Sequence, residues 1–307
     1  MHTAYITHPS FLLHDMGDAH PESPARLRAI DDRLHAAQLF DFLGHHLAPE
    51  VTRAELLRVH DAAHVDAIGA AAPLDGLLRL DPDTYMGPHS LTAARHAAGG
   101  AVHGVDLVMA GEAANAFVAC RPPGHHATRN RAMGFCIFNN VAVAAAHALD
   151  AHGLERVAIV DFDVHHGNGT EDIFRNDPRV MLCSTFQHPY YPFSGADTAS
   201  AHIVNVPLPA GTDGAAYREA FATRILPPLD AFAPQMVFCS AGFDGHREDD
   251  MAQFGLTEAD YIWITEQVMA VAAHHAGGRI VSVLEGGYAL SALGRSVAVH
   301  IKTLLGV

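Results

Sequence analysis

The sequence predicts an α/β fold in which one mostly parallel β-sheet is covered by helices on both faces. Short segments rich in β-branched residues alternate with longer Ala-rich segments along the 307 residues. The short segments are apolar throughout rather than alternately polar, which is typical of parallel strands buried on both faces. Because no repeat, low-complexity tract or linker-like composition divides the chain, we expect residues 1–307 to form a single domain.

Seven of the short segments are predicted strands, because each is a compact run of apolar residues. In chain order they span 4–7, 116–120, 157–161, 180–185, 203–206, 236–240 and 280–284. Six helices are predicted, at 24–38, 52–58, 90–109, 138–152, 213–226 and 257–275. Ser23 can cap the first helix with Pro24 in its first turn, and Thr52 and Glu55 have the spacing of a capping box.

Composition narrows the classes of function. Hydrophobic residues make up 49% and charged residues 17% of the chain, so extensive disorder is excluded. The formal net charge of −15 disfavours a nucleic-acid partner and favours a cationic one. The N-terminal sequence does not resemble a secretory signal, no apolar run approaches the ~20 residues of a membrane span, and the four cysteines show no CxxC spacing. We therefore expect a cytoplasmic protein with reduced cysteines and no membrane partner.

Histidine is unusually abundant, with 24 residues. This composition alone would produce about two adjacent histidine pairs by chance. The chain has four, at 45–46, 125–126, 165–166 and 274–275. A histidine pair is therefore no evidence of a site by itself. The pairs at 125–126 and 165–166 differ from the others because each follows a predicted strand.

Polar residues follow five of the predicted strands, which is where open parallel sheets bind their ligands. The segments are RPPGHHA at 121–127, DFDVHHGNG at 161–169, QHPYYPFSG at 187–195, AGFDGH at 241–246 and EGGY at 285–288. A single strand-end aspartate is more simply explained as a helix cap, and a single histidine as a solvated side chain. Their coincidence at five strand ends favours a shared site.

The spacing of Asp161, Asp163 and His165 indicates a metal site, because residues two apart in an extended backbone share one face. Carboxylates and imidazoles are ligands of divalent metals. A further ligand must come from a neighbouring strand, and Asp244 is the best-placed acid. One histidine with two carboxylates could hold any of several divalent metals, Fe²⁺ and Mn²⁺ among them.

His125 and His126 lie in a loop constrained by proline and glycine, and imidazoles held in this way can transfer protons near neutral pH. Either Asp161 or Asn168 could orient these rings. Tyr288, which follows two glycines, is a candidate for stabilising a developing oxyanion. Together these residue types predict a hydrolase that activates water at a metal ion.

The strings RPPGHHA, GFCIFNN, VDFDVHHGNGTEDIF, SAGFD and LEGGY together resemble the histone deacetylase superfamily. HPESPARL at 20–27 is similar to the class II branch, with its bacterial deacetylases and acetylpolyamine amidohydrolases. The matching segments cover nearly the whole chain. The resemblance implies an arginase/deacetylase-like α/β fold and a zinc-dependent amidohydrolase that removes acetyl groups from acetylated amines.

The resemblance also implies which residues bind cations. One Zn²⁺ per chain would be held by Asp163, His165 and Asp244. A monovalent cation, usually K⁺, would lie behind the zinc. Its expected ligands are the side chains of Asp161 and Ser184 and the backbone of Asp163, His165 and Thr185.

For catalysis, the resemblance makes His126 the general base and then the general acid, with His125 as an electrostatic partner near Asp161. Asn168 falls where class II proteins carry asparagine beside the second histidine. Tyr288 matches the tyrosine that polarises the acyl carbonyl. The walls of a narrow tunnel for an alkyl chain correspond to Gly134, Phe135 and Tyr191.

Three alternatives stand beside a deacetylase that acts on acetyl-lysine of proteins or peptides. A binuclear manganese ureohydrolase would need further acids where this chain has Gly167 and His246. A non-catalytic protein that binds acetylated amines would normally have lost a metal ligand or the tyrosine. An acetylpolyamine amidohydrolase is the nearest alternative, because the acidic stretch Glu248, Asp249 and Asp250 could attract a second positive charge. The sequence does not predict an oligomeric state.

Overall fold

The computed structural model describes residues 2–307 and confirms the predicted α/β fold. The strands are β1 (Thr3–Thr7), β2 (Gly44–Leu47), β3 (Leu78–Asp81), β4 (Thr84–Met86), β5 (Asn115–Val118), β6 (Val157–Asp161), β7 (Val180–Gln187), β8 (Ile203–Leu208), β9 (Val237–Ala241) and β10 (Ile280–Leu284). Eight of them form one sheet in the order β2-β1-β5-β10-β9-β6-β7-β8, and every neighbouring pair in it is parallel. β3 and β4 form a separate antiparallel hairpin.

The helices connect and cover these strands. They are α1 (Ala25–Ala36), α2 (Arg53–Leu56), α3 (Ala62–Ala71), α4 (Ser90–Met109), α5 (Asn140–Asp150), α6 (Asn168–Phe174), α7 (Gly214–Ala220), α8 (Leu226–Phe232), α9 (Glu258–His275) and α10 (Leu290–Leu305). A π-helix, Phe221–Ile225, joins α7 to α8. Within residues 2–307, no helix combines the length and the apolar character needed to cross a membrane.

The sheet is buried on both faces, as the continuous apolar strands predict. Ala116 of β5 and Val281 of β10 lie against Gly104 of α4. The next residue in each strand, Phe117 or Ser282, contacts His300 of α10 on the opposite face. The central strands β5, β10, β9, β6 and β7 are buried along their whole length. This leaves their carboxyl ends as the place where polar side chains can converge.

All seven predicted strands are present, two with the predicted ends and five with ends displaced by one or two residues. Three further strands were not predicted. β2 has the sequence GHHL and lies at the edge of the sheet, where alternate residues are exposed, so it lacks an apolar run. The hairpin strands β3 and β4 have only four and three residues, too few for a clear pattern.

The six predicted helices are present, but most of their ends are displaced. Thr52 does cap α2 in a capping box with Glu55, but Pro24 rather than Ser23 occupies the N-cap position of α1. The predicted helix 213–226 continues through the π-helix into α8, because prolines are tolerated in the first turn of the new helical segment. Helices α3, α6 and α10 were missed.

Candidate metal and catalytic site

The five strands that are followed by polar residues are neighbours in the sheet, in the order β5-β10-β9-β6-β7. These strands are far apart in the sequence. Because all five are parallel, their carboxyl ends lie at the same end of the sheet. Within this group, Asp161 at the end of β6 is paired with Ser184 of β7 and Ser240 of β9. The structure therefore brings the predicted site segments together.

Asp163, His165 and Asp244 form a buried group whose ligand atoms all lie within 4.8 Å of one another. The Nδ1 atom of His165 is 3.1 Å from Asp163 Oδ1 and 3.1 Å from Asp244 Oδ2. Backbone amides fix the carboxylates, because Gly286 donates to Asp163 Oδ2 and Val164 donates to Asp244 Oδ1. Asp161, which we expected on the same face, is not in this group.

The group has the chemistry of a cation site. Burial and the neighbouring Asp163 carboxylate raise the pKa of Asp244 to about 6. Burial would also raise the pKa of Asp163, but His125 and His165 lower it below its ordinary range. A β-carbon at Gly286 would lie 2.1 Å from Asp244 Oδ2, so only glycine leaves room beside these oxygens. Two buried carboxylates and one imidazole fit a divalent transition metal.

The tandem histidines lie beside this group, each with its own acceptor. His125 Nδ1 is 3.0 Å from Asp161 Oδ2, and His126 Nδ1 is 2.8 Å from Asn168 Oδ1. Burial lowers the pKa of His125, but Asp161 and Asp163 outweigh it and raise the value to about 10. Burial, together with the neighbouring His125 and His165, lowers the pKa of His126 well below its ordinary value. The surroundings therefore favour the protonated form of His125 and the neutral form of His126.

Glu285 at the end of β10 holds the histidine loop, a role that was not predicted. Its Oε2 atom accepts hydrogen bonds from the amides of Gly124, at 2.6 Å, and His125, at 3.1 Å. Ser240 donates to the other oxygen. Burial raises the pKa of Glu285 to about 7. The residue stands in the LEGGY string, but the sequence alone gives no sign that it contacts a loop 160 residues away.

A cavity of about 420 Å³ opens over the group formed by Asp163, His165 and Asp244. Gly134, Phe135 and Tyr191, which were expected as tunnel walls, line it. His125, His126, His165 and Tyr288 line it too. Pro123, Tyr190, Phe193 and Gly286, which lie in the predicted strand-end segments, also line it, as do Asp83 and Met251, which were not predicted. Asp83 was missed because it lies between β3 and β4, remote in sequence from the motifs, and Met251 because it has no polar group to mark it after the acidic stretch.

Tyr288 is held between two other residues of the site. The Arg26 guanidinium lies 4.9 Å from the centre of its ring, and Phe135 meets it edge-on at 5.9 Å. Arg26 also donates to the carbonyl oxygen of Gly287 at 2.7 Å. Burial raises the pKa of Tyr288 well above its ordinary value, so the phenol keeps its proton and can donate a hydrogen bond.

A buried ionic cluster supports this part of the site and was also missed. Glu22 pairs with Arg26 at 3.1 Å and accepts two hydrogen bonds from Arg121, at 2.5 and 2.7 Å. All three side chains are fully buried. Glu22 and Arg26 stand one helical turn apart in the HPESPARL string, and this i,i+4 spacing was the available signal.

The residues expected to bind a monovalent cation also lie together. Asp161 and Ser184 are paired residues of β6 and β7. The buried Ser184 Oγ atom has no hydrogen-bond partner among residues 2–307. Thr185 uses its own hydroxyl to contact Tyr217 at 2.5 Å, which leaves only its backbone for an ion. A cation beside Ser184 would satisfy this unpaired oxygen.

The positions that a second divalent metal would need hold no acid. A β-carbon at Gly167 would lie 2.2 Å from Asp161 Oδ2, so no carboxylate fits there. His246 is buried, and its Nε2 atom lies 3.5 Å from Glu258. Among residues 2–307, the Asp163, His165 and Asp244 group therefore has no acid at either position for a second metal.

Comparison with known proteins gives consistent matches. Residues 20–304 match the family model of the histone deacetylase domain. The histone deacetylase-like amidohydrolase of Pseudomonas aeruginosa is 40% identical, over 88% of this chain and 72% of that protein. The polyamine deacetylase HDAC10 of Mus musculus is 37% identical, over 100% of this chain and 48% of that protein. The crystal structure of the HDA15 HD domain aligns with a TM-score of 0.94 at 38% identity, over 99% of this chain and 88% of that one.

Proposed function

Since the chain belongs to the histone deacetylase family, we propose that it removes acetyl groups from lysine side chains of proteins or peptides, with one Zn²⁺ per chain. The family consists of zinc-dependent hydrolases, and the chain is a deacetylase-family amidohydrolase. The observation that carries the proposal is the buried Asp163, His165 and Asp244 group at the base of a cavity lined by aromatic rings. A single deacetylase domain over residues 1–307 and a cytoplasmic location are part of the proposal.

Asp163, His165 and Asp244 would hold the zinc ion through two carboxylate oxygens and one imidazole nitrogen. When bound, the ion supplies Lewis-acid chemistry, which lowers the pKa of water and polarises a carbonyl group. Asp161 and Ser184, with the backbone of Asp163, His165 and Thr185, would hold K⁺ behind it. Support for the K⁺ comes from the unpaired hydroxyl of Ser184.

His126 is the proposed general base and acid. The oxygen of Asn168 only accepts hydrogen bonds, so His126 Nδ1 carries the hydrogen and the lone pair of Nε2 is available to take a proton from water. The same nitrogen then returns that proton to the departing amine. His125, held by Asp161, stays positively charged beside it and stabilises negative charge that develops on the acyl group.

Tyr288 is the proposed donor to the acyl oxygen. Its phenol keeps its proton at neutral pH, and its ring lines the cavity next to the tandem histidines. A hydrogen bond that strengthens as the oxygen becomes negative lowers the barrier. Phe135 and Tyr191 would hold the lysine alkyl chain, because aromatic walls bury methylene groups without competing for hydrogen bonds.

The preference for acetyl-lysine over a polyamine rests on the acidic stretch at 248–250. Glu248 pairs with Arg295 at 2.7 Å, and Asp249 is buried with its oxygens on backbone amides. Asp249 is therefore not available to a second ammonium group and Glu248 is already paired, which leaves the exposed Asp250 of the stretch. Met251 adds an apolar side chain at the cavity. An acetylpolyamine amidohydrolase is the second candidate, because Asp83 lines the cavity as a partly exposed carboxylate. A third, non-catalytic acetyl-amine binder, would retain ligand binding without turnover.

The test compares the kcat/KM values of the zinc-loaded protein for an acetyl-lysine peptide and for N-acetylputrescine. We expect the peptide to be preferred by about tenfold or more, which corresponds to about 1.4 kcal/mol. A reversed preference would establish the polyamine alternative. Binding of both compounds without release of acetate would establish the non-catalytic one. The His126→Ala variant, purified in the same way, controls for contaminating deacetylases.

A further inference from the structure

One buried carboxylate joins two of the loops that form the site. Asp249 is 6% exposed and lies between β9 and α9. Its Oδ2 atom accepts hydrogen bonds from the amide of Tyr288, at 2.6 Å, and the amide of Ala289, at 2.9 Å. Its Oδ1 atom accepts from the amide of Met251 at 3.1 Å. The same side chain therefore fixes the backbone of the proposed catalytic tyrosine and of a residue that lines the cavity.

These contacts are unusual for a buried acid. Across residues 2–307, no Arg, Lys or His side chain lies within salt-bridge distance of Asp249, so backbone amides alone compensate its burial. Burying a carboxylate is costly unless its hydrogen bonds are satisfied. An alanine here would relieve that cost but leave the amides of Tyr288 and Ala289 without acceptors. The proposed chemistry does not use Asp249 itself.

The segment before Tyr288 explains why such a hold is needed. Gly286 and Gly287 precede the tyrosine, and Gly287 has a φ of +124°, which gives the backbone freedom that other residues lack. Arg26 fixes the carbonyl oxygen of Gly287 on one side. Asp249 accepts from the amides of Tyr288 and Ala289, and the phenol extends from the Tyr288 Cα atom, which lies between these two amides.

We propose that Asp249 is a positioning residue that places the Tyr288 phenol for carbonyl polarisation. The proposal rests on the function proposed above for Tyr288. Displacement of a reacting group by about 1 Å can cost about 100-fold in rate. Because Asp249 acts on where the phenol lies rather than on substrate binding, its loss affects kcat more than KM.

The experiment compares Asp249→Ala and Asp249→Asn with a matched control, Asp177→Ala. The Asp177 carboxylate also accepts a hydrogen bond from a backbone amide, that of Arg179. It precedes β7, so it lies at the amino ends of the strands, away from the site. We expect Asp249→Ala to lower kcat by about 10- to 100-fold with KM changed less than about threefold. Asp249→Asn should lose less, because one oxygen remains as an acceptor. Asp177→Ala should retain wild-type kcat.

The same change in a Tyr288→Phe background separates positioning from general damage. If Asp249 acts through the phenol, adding Asp249→Ala to Tyr288→Phe lowers kcat by less than about twofold further, since the two changes remove one interaction. A loss as large as in the wild-type background would overturn the proposal, as would full kcat in Asp249→Ala.

Amide hydrogen exchange of the peptide that contains Tyr288 and Ala289 provides a readout that does not depend on turnover. Exchange should be faster in Asp249→Ala than in the wild-type protein and unchanged in Asp177→Ala. Unchanged exchange in Asp249→Ala would contradict the proposed hold on this backbone. If instead the wild-type protein deacetylates nothing while exchange responds as expected, the function proposed for Tyr288 fails and Asp249 is only a structural contact.

Discussion

Two groups in this molecule each bring histidine and aspartate ligand atoms within 4.8 Å of one another, but they differ in burial and in hydrogen bonding. Asp163, His165 and Asp244 lie at the carboxyl ends of central strands, and their side chains are at most 9% exposed. Asp106, His147 and His152 have ligand atoms equally close together, on the surface formed by α4 and α5. There the Asp106 side chain is 47% exposed and that of His152 is 25% exposed.

Charge and hydrogen bonding separate the groups further. In the surface group, His147 and His152 both contact Asp106 Oδ1, and the Arg58 guanidinium donates to the remaining nitrogen of His147 at 2.9 Å. Side chains therefore already occupy the Asp106 oxygen that faces this group. In the buried group, backbone amides orient both carboxylates. Burial and amide orientation, rather than residue type, therefore distinguish the candidate metal site.

The largest expected difference between the two groups is in metal content. Asp163→Ala should lose the bound metal and reduce deacetylation to the uncatalysed level, because changes outside the ligand shell alone cost about 10- to 100-fold. Asp106→Ala should keep wild-type metal content and rate. Elemental analysis and rates on the same preparations check both. Equal metal loss in the two variants would show that the surface group binds metal as well.

The next effect separates proton transfer from metal binding. His126→Ala should lower kcat by about 10²- to 10⁴-fold while the protein keeps its metal, because general acid–base catalysis contributes on that scale. His152→Ala, a histidine removed from the surface group, should leave kcat unchanged. Metal loss in His126→Ala would instead make this side chain a ligand.

Acid stability extends the comparison to histidines outside both groups. Burial lowers the pKa of His300 to about 3, so this side chain is neutral in the folded protein. In the unfolded chain it takes up a proton near pH 6.5, so the unfolded state binds more protons and stability falls as pH drops below that value.

Between pH 7 and pH 5, His300 should account for about 2 kcal/mol of lost unfolding free energy. His300→Leu should be less stable at pH 7, because Thr265 and Ser282 lose a partner, yet show a shallower pH dependence. Chemical denaturation at both pH values measures this. A slope equal to that of the wild-type protein would contradict the expectation, and His152→Leu serves as the control at a partly exposed histidine.

The smallest expected effect is the change in the free energy of unfolding when the surface group is altered. Asp106→Ala should change the free energy of unfolding by less than about 1 kcal/mol at neutral pH, because exposed ion pairs contribute little. Thermal denaturation at low and high salt checks this. A loss of several kcal/mol would mean that the contacts of Asp106 with His147 and His152 stabilise the packing of α4 against α5.

The sequence predicted the parts of the site that local pattern and topology control. Apolar strands precede Asp163, His165 and Asp244, and the carboxyl ends of neighbouring parallel strands lie at the same end of the sheet. The same spacing led to a wrong expectation for Asp161. Asp161 follows the same two-residue spacing, but the chain leaves extended geometry after β6, so its carboxylate contacts His125 instead of joining the metal group.

Contacts made by residues outside the strand-end segments were beyond prediction. Arg26 contacts the carbonyl oxygen of Gly287, 261 residues away, and Asp249 contacts Tyr288 across 39 residues. Neither contact leaves a periodicity or spacing in one sequence. In the sequence, Asp249 belongs to an acidic stretch that could attract a polyamine. In the structure it is buried and accepts hydrogen bonds from backbone amides instead. Such contacts depend on loop packing, which the strand and helix patterns do not specify.

The central claim is that one zinc ion held by Asp163, His165 and Asp244 supports deacetylation. It is tested by titrating Zn²⁺ into chelator-treated protein and measuring the rate of acetate release from an acetyl-lysine peptide. We predict a rate near zero without metal that rises linearly and levels off at one equivalent of Zn²⁺ per chain. Full activity before any metal is added, or a rate that stays at background at every equivalent, would contradict it.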